Sequence, residues 1–107
     1  MARQADEARE ADRLGVHDVT IEPSRAEELL DYGDLWWVDL RDSATLLAEG
    51  MPAVVGALGA PPIYVCADGR ASAERALEDR RRGDVAWSLA GGVQAWRRAG
   101  LPWTDVS

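Results

Sequence analysis

The chain has 107 residues, 47% of them hydrophobic and 29% charged, the balance of one ordinary globular domain. A formal charge of −7 opposes a nucleic-acid role, which rests on clustered cations, and no apolar run approaches the roughly 18 residues that cross a bilayer. Cys66 is the one cysteine and His17 the one histidine, so neither a disulfide within the chain nor a cysteine–histidine zinc site can form, and the lack of lysine excludes Schiff-base chemistry.

Residues 2–14 are helix formers with no apolar stripe, and Gly15 follows as a stop. We read residues 1–15 as a helical tail that adds little to a core, ahead of one domain over residues 16–107. The tail mixes acids with its arginines and has no apolar centre, so it resembles neither a secretory nor an organellar leader, and the cytoplasm is the expected compartment. VTI reads as a strand and SRAEELLDYG as a helix, with Ser24 as N-cap, Glu27 closing a capping box and Gly33 as the stop. LWWVDLRD is a continuous apolar run ending in charges, the pattern of a strand buried on both faces of a parallel sheet. Asp39 and Arg41 then lie at its carboxyl end. SATLLAEG is a short helix capped by Ser43 and stopped by Gly50. AVVGAL follows as a small strand, and LGAPP turns into the next strand, PIYVC, without an intervening helix. After the loop ADGRA comes the helix SAERALEDRRR, with Ser72 as N-cap and Arg80 to Arg82 as its solvated end. VAWSL is a strand, AGG a turn, and VQAWRRAG a helix closed by Gly100 and Pro102. Strands alternating with helices predict an α/β fold with a central parallel sheet of about five strands, PIYVC near its middle, and a shortened connection between the third and fourth strands.

The stretch PPIYVCADGRASA places Cys66 where an apolar strand meets a polar loop entering a helix. Ligands in such sheets sit at the carboxyl ends of strands. A loop of this kind turns backbone N–H groups toward one point, Gly69 can supply a left-handed curl, and the helix N-terminus favours an anion. A thiol there is placed as a nucleophile. His17 lies in the N-terminal segment as a surface or turn residue, so a cysteine–histidine protease does not assemble, and no phosphate-binding glycine motif is present.

Three motifs resemble the rhodanese-like domain family over roughly residues 18–103: WWVDLRD, YVCADGRAS and SLAGGVQAWRRAGLPW. The resemblance implies sulfurtransfer, in which Cys66 takes sulfane sulfur from a donor such as thiosulfate, holds it as a persulfide and passes it to a thiol, cyanide or a sulfur-accepting protein. It implies no cofactor and no metal. Under it the backbone of Ala67, Asp68, Gly69, Arg70, Ala71 and Ser72 forms the anion cradle, Arg70 steers the donor, and Asp39, Arg41, Gly91 and Gly92 support the site.

The chain departs from the family at several places. Many members carry arginine five residues after the cysteine, where this chain has Ala71; Asp68 adds a carboxylate to a loop that attracts anions; and Gly50-Met51 stands where Gly-His is usual. These departures keep a non-catalytic, protein-binding rhodanese-like module as an alternative. The related phosphatase and arsenate-reductase branch uses a longer cysteine–arginine loop, and the residue six after Cys66 is Ser72.

Overall fold

Period-two alternation in one short strand sets the layering: Ile63 and Val65 face one side of a sheet, Tyr64 faces the other, and all three are buried. The computed structural model describes residues 14–104. Its elements are α1 (Val16–Val19), β1 (Thr20–Ile21), α2 (Pro23–Asp31), β2 (Trp36–Asp39), α3 (Ser43–Glu49), β3 (Met51–Pro52), β4 (Pro62–Val65), α4 (Arg70–Arg81), β5 (Trp87–Leu89), α5 (Gly92–Arg98) and β6 (Trp103–Thr104). The parallel sheet has the order β1-β5-β4-β2, which puts the PIYV strand between two neighbours. The fold is α/β, with helices on both faces.

On one face, Ala26 and Leu30 of α2 and Val93 and Trp96 of α5 cover Trp37, Ile63, Val65 and Leu89. Trp37 and Trp96 meet edge to face with ring centroids 5.2 Å apart. On the other, Val19 of α1 and Ala76 and Leu77 of α4 pack with Tyr64 and Ala86. The helical tail expected over residues 1–15 lies outside the described residues except for Leu14 and Gly15. These two are not helical, and Leu14 packs against the second cluster. Among the described residues no helix is long and apolar enough to cross a membrane.

The sheet holds four strands, because AVVGAL does not join it in parallel. That segment runs antiparallel beside β2 through Trp37 N–H to Val55 O and Ala57 N–H to Leu35 O, with a single bridge between Trp36 and Gly56. Gly56 has φ +80°, which breaks the extended run. Met51–Pro52 instead pairs antiparallel with β6. No helix lies between β3 and β4, as the short LGAPP connection implies.

Three caps differ from expectation. Pro23 occupies the first turn of α2, where its missing N–H costs nothing, so Glu22 rather than Ser24 is the N-cap. Asp42 caps α3 in place of Ser43, its carboxylate accepting the Thr45 N–H at 2.7 Å. Gly69 stands at the N-cap of α4, which draws Ser72 inside the helix.

Beneath α4, the Tyr64 hydroxyl donates to Asp79 at 2.5 Å, and Asp79 also pairs with Arg82 at 2.6 Å and Arg75 at 3.4 Å. Burial by itself raises the Asp79 pKa, but the hydrogen bonds from Tyr64 and Arg82 and the nearby charges outweigh it and hold the carboxyl below the ordinary aspartate value. A group depressed in the folded state stabilises fully above its unfolded value, about 3.9, and loses that contribution as pH falls through the folded value. Urea unfolding followed across a pH series should therefore show a midpoint that holds down to about pH 5 and then drops. Asp79→Asn should be less stable at neutral pH and show a shallower acid loss; an unchanged acid slope would contradict this role.

Candidate active site

Cys66 follows the last residue of β4, and α4 opens at Arg70 after the N-cap Gly69, whose φ of +90° curls the loop. The Gly69 N–H donates to Cys66 Sγ at 3.1 Å. Ser72 Oγ lies 3.4 Å from the same sulfur and 2.8 Å from Ser88 Oγ, and both serines are fully buried. Cys66 itself is 8% exposed. The sulfur thus sits at the positive end of a 12-residue helix, against one amide and one hydroxyl. The amides of Ala71 and Ser72, in the first turn, have no acceptor within the helix.

One carboxylate contact opposes this polarity. Asp68 Oδ1 lies 3.8 Å from Sγ and also accepts the Arg70 N–H at 3.0 Å. Asp68 therefore shapes the loop while placing negative charge beside the sulfur. Arg70 is exposed and lines a cavity of about 620 Å³ with His17, Glu22, Asp68 and Glu74. His17 is an exposed residue of α1, on the wall of that cavity. Ala67 and Ala71 are exposed and bring only backbone to the site.

The loop is held from below by α5. Val93 N–H donates to Cys66 O at 2.9 Å and Gln94 N–H to Ala67 O at 3.1 Å, so the helix's free amides satisfy the carbonyls of the thiol residue and its neighbour. This seating leaves no room for side chains. A Cβ on Gly92 would lie 2.4 Å from Cys66 O, and one on Gly69 would lie 2.9 Å from Gly91 N. Gly91 and Gly92, at φ +71° and +64°, make the turn from β5.

Asp39 and Arg41 are brought together at the carboxyl end of β2, where Asp39 pairs in register with Val65. Two Arg41 nitrogens reach the carboxylate at 2.9 and 2.8 Å, and Trp37 Nε1 adds a third hydrogen bond at 3.1 Å. Burial raises the Asp39 pKa, yet these hydrogen bonds outweigh it and leave it lowered. Arg41 also donates to Gly50 O at 3.0 Å and stacks on Trp103, whose Nε1 reaches Glu49 O at 2.9 Å. The pair ties β2, α3 and β6 together one strand away from the thiol. Ser88 was not expected at the site. Its signal in the sequence is a hydroxyl between Trp87 and Leu89 in a buried strand, where a polar atom must find a partner.

No protein-family model matches the sequence, and no curated protein gives a significant match. Solved structures do match. A rhodanese-related protein from Thermoplasma volcanium is 18% identical at a TM-score of 0.69, over 83% of this chain and 99% of that one. The homodimeric polysulfide-sulfur transferase of Wolinella succinogenes is 23% identical at 0.68, over 97% and 88%. A protein of unknown function from Rhodopseudomonas palustris, described as a possible tyrosine phosphatase, is 21% identical at 0.67, over 86% and 96%. At these identities the likeness is one of fold, and that fold is rhodanese-like.

The close approach of the two backbones predicts a contrast between glycines. Gly92→Ala adds a clash with the Cys66 carbonyl to the left-handed strain of about 1–2 kcal/mol, whereas Gly83, also at positive φ but with nothing within 4 Å, carries the strain alone. Denaturation should rank Gly92→Ala clearly below Gly83→Ala. Equal losses would mean that the loop is not held by this contact.

Proposed function

We propose that this rhodanese-like chain is a sulfurtransferase working in a reducing, cytoplasmic setting through a persulfide on Cys66. The observation that carries the proposal is the thiol's position against the Gly69 amide at the N-terminus of α4. In the first step the Cys66 thiolate attacks the outer sulfur of thiosulfate. The donor S–S bond breaks, sulfite leaves with the bonding pair, and Cys66 becomes a persulfide anion. In the second, cyanide or an acceptor thiolate attacks the terminal sulfur. The bond to Sγ breaks, thiocyanate or an acceptor persulfide forms, and the thiolate returns.

The residues divide the work. Gly69 offers its amide and Ser72 its hydroxyl to the sulfur anion, Ala67 anchors the loop through its carbonyl, and Gly91 and Gly92 let α5 seat against it. Arg70 raises the local concentration of the anionic donor from the loop's rim, and Asp68 opposes it. A phosphatase reading lacks the guanidinium that would clamp an oxyanion bidentately: the residue six after Cys66 is Ser72, and Arg70 is exposed. One observation favours a second reading. The Asp68 carboxylate at 3.8 Å from Sγ is a poor neighbour for an anion, and suits a module whose loop surface binds a protein partner.

The thiosulfate–cyanide assay separates the readings. Cys66→Ser should abolish thiocyanate formation with the fold retained, since a serine hydroxyl is not ionised at neutral pH and stores no persulfide. Asp68→Asn keeps the carbonyl that accepts the Arg70 N–H and removes the charge, so turnover should rise, by about fivefold for one charge near 4 Å in water. Arg70→Ala should raise KM for thiosulfate. A wild-type protein with no turnover, together with a partner that binds it and is lost on Asp68→Ala, would replace the enzyme by the binding module.

A further inference from the structure

We propose that Ser88, on β5, is a positioning residue that aims the Ser72 hydroxyl at the Cys66 sulfur. The inference deepens the sulfurtransferase reading of Cys66, but its test does not require turnover. Three heavy atoms form a buried row: Ser88 Oγ, Ser72 Oγ at 2.8 Å, and Cys66 Sγ at 3.4 Å beyond it. Both serines are fully buried. Among the described residues Ser88 Oγ has one side-chain partner, Ser72 Oγ.

Counting hydrogens fixes the direction of the row. If Ser72 donated to Ser88, the Ser88 hydrogen would be buried without an acceptor, which costs more than an ordinary hydrogen bond contributes. If Ser88 donates to Ser72, the Ser72 hydrogen is free for the sulfur, and both hydroxyls are satisfied. In the thiol the Sγ hydrogen has Ser72 Oγ at 3.4 Å and Asp68 Oδ1 at 3.8 Å as acceptors, whereas in the thiolate Sγ only accepts and the Ser72 hydrogen turns to it. Without Ser88, the Ser72 hydroxyl is free to turn to the carbonyl four residues earlier, as helical serines commonly do. Ser88 thus acts through Ser72, presenting a donor to a sulfur anion from inside the protein while Gly69 presents another from the loop.

The register explains why β5 can do this. Ser88 pairs with both Thr20 of β1 and Tyr64 of β4, so its backbone is fixed in the interior of the sheet, and its side chain meets the first turn of α4. Among the described residues the charged group in reach of Sγ is Asp68 of the loop; α4 and β5 bring hydroxyls, and α5 brings the Val93 and Gln94 amides to the loop carbonyls.

Alkylation of Cys66 by iodoacetamide, followed against pH in the full chain, tests the proposal. Ser88→Ala should displace the profile to higher pH by about half to one unit, the worth of one hydrogen bond to the sulfur anion, and leave the limiting rate at high pH nearly unchanged. Ser72→Ala should displace it by as much or more. The Ser72→Ala/Ser88→Ala double variant should match Ser72→Ala alone, since Ser88 has no other route to the sulfur. A profile unmoved by Ser88→Ala overturns the proposal, as do displacements that add in the double variant or a Ser88→Ala effect confined to the limiting rate. A protein that is alkylated in this pattern yet transfers no sulfur would refute the enzyme reading and leave the relay standing.

Discussion

The site depends on one close contact between two stretches of backbone. α5 begins directly under the Cys66 loop, and its Val93 and Gln94 amides accept the job of satisfying the loop's carbonyls at 2.9 and 3.1 Å. That proximity exists because Gly92 has no side chain; any Cβ there would meet the Cys66 carbonyl. Once the carbonyls point down into α5, the amides that follow them are left to point toward the sulfur, and Gly69 makes the first of these contacts. The same contact joins the β5–α5 turn to the β4–α4 loop, so two crossover units of the parallel sheet meet at the thiol.

Charge is arranged differently from what an anion-handling chain of net charge −7 would need for long-range attraction. Among the described residues no arginine side chain hydrogen-bonds to Cys66, and Arg41, the best-buried guanidinium near the strand ends, is already held by Asp39 and the Gly50 carbonyl. Stabilisation of a sulfur anion therefore falls to neutral dipoles: the Gly69 amide, the Ser72 hydroxyl with Ser88 behind it, and the end of α4. Such a cradle suits a singly charged persulfide better than a doubly charged donor, and Asp68 sharpens that bias. Under the proposed sulfurtransfer, that bias favours holding the intermediate over capturing thiosulfate.

Much of this was legible in the residues. The apolar run PIYV could be covered only on both faces, and that placed it inside a parallel sheet and Cys66 at its carboxyl edge, whereas WWV, read the same way, forms the edge strand β2 with Trp36 exposed. The glycine pair before VQAW was read as a turn, and that it lets two backbones approach closely is visible only in the fold. What propensity missed was decided by competition between neighbours. Asp42 outcompeted Ser43 as a cap, Pro23 fixed the start of α2, and the curl at Gly69 started α4 early enough to carry Ser72 into the interior. The β-branched residues of AVVGAL suggested a parallel strand, yet Gly56 and the short LGAPP connection leave it only an antiparallel brush against β2. Ser88 escaped notice because its partner is distant in sequence; a strand residue that looks replaceable by alanine acquires meaning only when α4 is laid across it.

The central claim is that Cys66 stores sulfur within this cradle, and intact-mass spectrometry after incubation with a sulfane-sulfur donor tests it most directly. The account predicts a species heavier by one sulfur atom, mapped by digestion to the peptide containing Cys66, removed by cyanide and absent from Cys66→Ser. A wild-type protein that stays at its starting mass with both thiosulfate and polysulfide, while its thiol remains free to alkylate, would contradict it.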